Sequence, residues 1–117
     1  MPDNSRHLDQ YKHNKKLLTS TELDKDKTSF PDWVIIVAFY SAVHLIEKEL
    51  ASIPFHSSTH KNRDEIIVKI PKLKPIATQY ATLEMQSKKA RYECITLKNK
   101  HANDAIELLR EIEKIAL

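Results

Sequence analysis

The sequence predicts an all-α protein: an antiparallel up-and-down bundle of four long helices and one short helix, in a single domain covering residues 1–117. Three observations predict it. Glycine is absent from the chain, which removes the residue that tight β-hairpin turns use for positive φ. Apolar residues recur at steps of three and four along four long stretches, the period of one helix face. Prolines 31, 54, 71 and 75 fall between those stretches, where a helix must start or stop. With 41% hydrophobic and 30% charged residues, the chain can bury a core without disulfides or metals.

The first helix is expected over 5–19, where Leu8, Tyr11, Lys15 and Leu18 form one stripe beside Leu17. A polar connector with alternating charges follows over 19–29. Pro31 suits a first helical turn, and Asp32 beside it suits the positive end of the helix dipole. The second helix, 32–51, is apolar nearly all round and is expected at the centre of the bundle. Its one polar and aromatic row runs Trp33, Val37, Tyr40, His44 and Glu47. Ile53-Pro54 ends it. Ser57, Ser58 or Thr59 can cap a shorter helix that reaches about Ile70 and stops at Pro71. Pro75 opens a fourth helix over 76–93 with Ile76, Tyr80, Leu83, Ser87, Ala90 and Cys94 on its inner face. A short bend is expected over 95–98, with Thr96 as the cap of the last helix, whose Ala102, Ala105, Ile106, Leu109 and Ile112 make a strong amphipathic pattern.

Several classes of function drop out. Without glycine there is no phosphate-cradling glycine loop and no G-x-S-x-G nucleophile elbow. The single cysteine, Cys94, has no intrachain partner; it falls on the apolar phase of its helix and is expected in the core. The polar N-terminus has no signal-peptide core, and the apolar run 34–46 is shorter than the roughly 20 residues a membrane span needs. Together these point to a cytoplasmic protein without a membrane segment. Charge is unevenly spread. Between His56 and His101 ten Lys and Arg stand against four Asp and Glu, a net +6 in a chain whose total is +3. Such a segment either faces a polyanion or is a set of solvated lysine-rich helix faces.

Three constellations could carry chemistry. The first, His56-Ser-Ser-Thr-His60-Lys-Asn-Arg63, places an arginine one turn into a helix whose free N–H groups could hold an anion; it could equally be a capping cluster. As a metal site it fails, because His56 lies before the helix and no H-E-x-x-H glutamate is present. No metal or other cofactor is expected. The second, Ser87-Lys88-Lys89-Ala90-Arg91-Tyr92, offers a planar guanidinium for phosphate and an aromatic face for stacking. The alternative has Arg91 answering the last carbonyls of its own helix and Tyr92 in the core. The third is Tyr40 and His44, four apart on the central helix, either lining a pocket or hydrogen-bonded within the core.

The order of these segments resembles the HEPN superfamily of small helical bundles. The likeness rests on "DWVIIVAFYSAVHLIEKEL", then "HSSTHKNR", then a long helix ending in "SKKARYE", then a final "AIELLREIEKI" helix, and it covers about residues 32–116. It implies a homodimer associated with RNA or a nucleotide. Family members include metal-independent endoribonucleases of toxin–antitoxin and defence systems. Others are non-catalytic companions of nucleotidyltransferases or toxins, which gives the alternative reading of a helical protein-interaction module with a cognate nucleotidyltransferase or antitoxin as partner. The nuclease hallmark, Arg and His separated by four to six residues late in the bundle, is not matched: nine residues separate Arg91 from His101. If the chain cleaves RNA, the resemblance implies His60, Arg63 and Arg91 as the catalytic group. Arg63, Lys88, Lys89, Arg91 and Tyr92 would bind phosphate or nucleic acid, and Tyr40 and His44 would line a pocket.

Overall fold

The computed structural model describes residues 3–52 and 60–117, from the backbone alone at 60 and 61. Among them are five α-helices: α1 (Asn4–Leu18), α2 (Pro31–Leu50), α3 (His60–Ile67), α4 (Ala77–Tyr92) and α5 (Asn99–Ala116). Two short 3₁₀ turns, Thr21–Leu23 and Lys74–Ile76, precede α2 and α4. No strand occurs among the described residues, so the all-α expectation holds. The expected caps Ser57, Ser58 and Thr59 lie outside the described residues, as does His56.

Each helix begins and ends for a local reason. Asp3 accepts the N–H of Arg6 at 3.0 Å and so satisfies one of the free donors of α1. Pro31 occupies the first turn of α2, where its missing N–H costs nothing. The third helix stops at Ile67, three residues short of the expected end, in turns that lead into Pro71. Pro75 sits in the 3₁₀ turn ahead of α4 rather than in the helix itself.

Two expectations are corrected at the α4–α5 junction. Cys94 is exposed, not a core residue. The helix ends at Tyr92, and Cys94 takes a φ of 51° in the left-handed region, so the apolar phase of α4 no longer governs where it points. Tyr92, for which a core position was one option, is 69% exposed. Thr96 is not the cap of α5, which starts three residues later at Asn99. There His101 Nδ1 accepts the N–H of Lys98 at 3.0 Å, closing the first turn with an imidazole in place of a hydroxyl.

The core is built around α2, which packs against α1, α4 and α5. Val34, Ala38, Phe39, Ala42, Leu45 and Ile46 of α2 are fully buried, and Ala102, Ala105, Leu109 and Ile112 of α5 meet them. The alanines keep side chains short where backbones approach, and the larger aliphatics fill between them. Tyr11 of α1 donates to Glu113 of α5, which also takes Lys15 Nζ at 2.6 Å, fastening the first helix to the last. The connector is held to α5 as well: Asn99 Nδ2 donates to the carbonyls of Lys25 and Thr28, and Asn103 Nδ2 to that of Lys25, all at 3.2 Å. No helix of the described residues is long and apolar enough to cross a membrane.

Leu45→Ala is expected to lower unfolding free energy by about 2–5 kcal/mol in urea titration, since Leu45 is wholly inaccessible. Leu117→Ala, at an exposed position, should stay within about 0.5 kcal/mol of wild type.

Candidate functional site

A helix buried on nearly every side cannot leave polar side chains to solvent, so each must find a partner in the protein. Three of the polar residues of α2, Tyr40, His44 and Glu47, are spaced four and three apart and therefore lie on one face. Each meets a different helix. Tyr40 Oη accepts from the Arg91 guanidinium of α4 at 2.8 Å. His44 Nδ1 lies 3.0 Å from Nδ1 of His7 in α1. Glu47 Oε1 accepts from Arg63 Nε of α3 at 2.7 Å.

The Glu47–Arg63 pair is interior. Both residues are buried, at 4% and 8% exposure, and the Arg63 guanidinium also reaches Tyr80 Oη of α4 at 3.5 Å. Burial raises the Tyr80 phenol well above its ordinary range, so it stays protonated. Arg63, expected to bind phosphate or assist catalysis, is thus committed to holding α3 against α2 and α4. The side chain of His60, its expected catalytic companion, lies outside the described residues.

Arg91 is placed differently. Its Nε donates to the Ser87 carbonyl one turn back at 3.3 Å, so the helix-end role read from the sequence is fulfilled. The guanidinium continues past that contact to Tyr40. It sits among three aromatic rings, with Cζ 5.8 Å from the centre of Phe39, 5.6 Å from Tyr40 and 5.0 Å from Tyr92. These distances fall within the range of cation–π attraction. Tyr92, exposed, forms the outer side of this stack, and Lys88 and Lys89 are exposed on the same helix.

Tyr40 and His44 also line a groove of about 310 Å³ between α1 and α2, completed by Gln10, Asn14, Ile36 and Val37. Both imidazoles of the His7–His44 pair are held below the ordinary histidine pKa, chiefly by burial. His7 was missed by the sequence reading. A signal existed: His7 stands four before Tyr11 and eleven before Leu18, on the stripe that α1 buries, while Leu8 is only partly covered. A polar residue on a buried stripe needs a partner, and His44 is the partner it has.

No protein-family model, curated protein or solved structure matches this chain. The site is therefore read from its own chemistry. It offers a guanidinium at an aromatic stack, an imidazole in an adjoining groove and exposed lysines nearby. A second acidic contact, Asp64 of α3 with Glu84 of α4, lies beside the Arg63 cluster. Burial, followed by the hydrogen bond to Asp64, pushes the Glu84 carboxyl up to about 7.

Two predictions follow from these pairs. Glu47→Ala leaves Arg63 charged and buried, and should cost about 3–5 kcal/mol in denaturant unfolding; a Glu47→Leu, Arg63→Met double variant should regain most of it. For Glu84 the folded-state pKa lies above the ordinary carboxylate value of 4.5, so its contribution to stability is complete below 4.5 and is lost as pH rises through about 7. The His7–His44 pair works in the other direction, contributing above the ordinary histidine value of 6.5 and losing that contribution as pH falls below it. Thermal melting across pH 4–8 should show both slopes, with Glu84→Gln removing only the loss on the alkaline side.

Proposed function

We propose that the protein is a HEPN-like module that associates with RNA or a nucleotide through the end of α4, with Arg91 as the phosphate contact. The observation that supports this most is the stack of Arg91 between Tyr40 and the exposed ring of Tyr92. A guanidinium held by an aromatic hydroxyl and by ring faces is oriented in advance, and an open ring beside it can take a base while the guanidinium takes the adjacent phosphate. Lys88 and Lys89 add positive charge on the same helix, within a segment of net +6. His44, in the groove next to Tyr40, supplies a group able to exchange a proton. Endoribonuclease activity, a homodimeric state and membership of a toxin–antitoxin or defence system are implied by the resemblance and belong to the same proposal.

A second reading has one specific observation in its favour. Met85 and Ile95 are half exposed and, with Ile35 and Leu97, line an apolar hollow edged by Lys89 and His101. That hollow suits the alternative of a protein-interaction module whose partner is a nucleotidyltransferase or toxin.

The test is fluorescence anisotropy with a labelled single-stranded oligoribonucleotide. Affinity should fall steeply between about 50 and 200 mM salt. Arg91→Ala and Tyr92→Ala should each weaken binding by roughly tenfold, in line with about 1–3 kcal/mol per stacked base, with helicity by circular dichroism unchanged. Binding that ignores salt and both substitutions, together with loss of a co-purifying protein on Met85→Glu, would favour the interaction module.

A further inference from the structure

The contact between His7 and His44 constrains their protons in a way that reaches the groove. A neutral imidazole has one N–H and one lone pair; an imidazolium has two N–H groups and no lone pair. At 3.0 Å, two Nδ1 atoms attract only when a single proton lies between them. Two Nδ1–H groups facing each other would clash, so the pair can hold one extra proton while the contact lasts but not two.

The burial of His7 decides where that proton enters. Its Nε2 is inaccessible and has no hydrogen-bond partner among the described residues, so a proton arriving from solvent does not reach it. His44 lines the groove, and among the described residues its hydrogen bond is made through Nδ1. Uptake therefore occurs at His44 Nε2. That requires the neutral pair to keep a hydrogen on His7 Nε2, with His44 Nδ1–H donating to His7 Nδ1. The charged groups that act on His7 are Glu47 of α2, Arg63 of α3 and Asp3 ahead of α1. His44 faces Glu47 and Arg63 as well, and Arg91 of α4 lies on the far side of Tyr40.

We propose that His7 is a positioning residue which fixes His44 with the lone pair of Nε2 turned to the groove, so that the two histidines act as one group exchanging a single proton there. The inference deepens the proposed RNA-associated site by naming its proton-exchanging atom and the residue that orients it. An imidazole so held can accept a proton from a hydroxyl in the groove, and once protonated it places positive charge near Arg91. A lone histidine on α2 would sample both tautomers and both ring orientations, whereas here the second ring removes that freedom.

The test is nitrogen-15 NMR of the full chain with labelled histidine, titrated from pH 8.5 to 4.5. At neutral pH His44 Nε2 should appear as the unprotonated ring nitrogen and His44 Nδ1 as the protonated one. The His7 and His44 signals should then move together, in one transition centred below the ordinary histidine value of 6.5. Replacing His7 by Asn keeps a hydrogen-bonding group but not a second titrating ring, and should raise the His44 midpoint while the amide spectrum stays folded. His44 protonated on Nε2 at neutral pH, or two separate transitions with the fold intact, would overturn the proposal without any variant being made. The oligoribonucleotide is added as a separate arm. If it fails to bind while the pair titrates as one, the RNA reading falls and the histidine couple stands.

Discussion

The burial of α2 is the constraint on which the rest of the structure depends. Because neighbours cover the helix on nearly every side, the polar side chains of its inner row, Tyr40, His44 and Glu47, had to be answered from within the protein. The answers come from three different helices: Arg91 of α4 for Tyr40, His7 of α1 for His44 and Arg63 of α3 for Glu47. One row along a single helix thereby fixes the rotation of three others. Apolar packing alone would tolerate small slips between helices, since dispersion and burial are not directional. Hydrogen bonds of 2.7–3.0 Å do not tolerate such slips.

The three contacts differ in consequence because they differ in exposure. Glu47 and Arg63 are closed off and serve the fold; their charges are balanced where water cannot reach them, and removing either leaves the other stranded. Tyr40, Arg91 and His44 are half-buried, whereas His7 is buried. A polar contact with one open side holds its geometry and remains available to a ligand, which is the arrangement a binding site needs. The transition from structural to accessible takes place along seven residues of one helix, from Glu47 to Tyr40.

Much of the fold was legible in the sequence. The breaks at Pro31 and Pro71, the central position of α2 and the amphipathic stripe of α5 all follow from local rules, and helix ends deviate by a residue or two except around α3. The cap of α5 was misassigned because Thr96 has the chemistry of a cap, whereas His101 does the work through a ring nitrogen that no capping rule weights. Cys94 was misplaced because helical periodicity was extended past the point where the backbone turned left-handed.

The sequence by itself determined the class of the protein, the helix that would be central and the polar row on that helix, since periodicity and breakers are properties of neighbours along the chain. It also singled out Arg91, Tyr92, Tyr40 and His44 as residues with chemistry to offer. Only the tertiary structure decided which of them meet. Arg63 and Arg91 are equally basic on paper, yet one is enclosed with Glu47 and the other reaches Tyr40 beside an open groove. His7, 37 positions from His44, stands on the stripe that α1 buries, but its partner was fixed only when α1 was laid against α2. Pairings across such separations depend on how helices rotate about one another, and that rotation is set by the whole core rather than by any one segment.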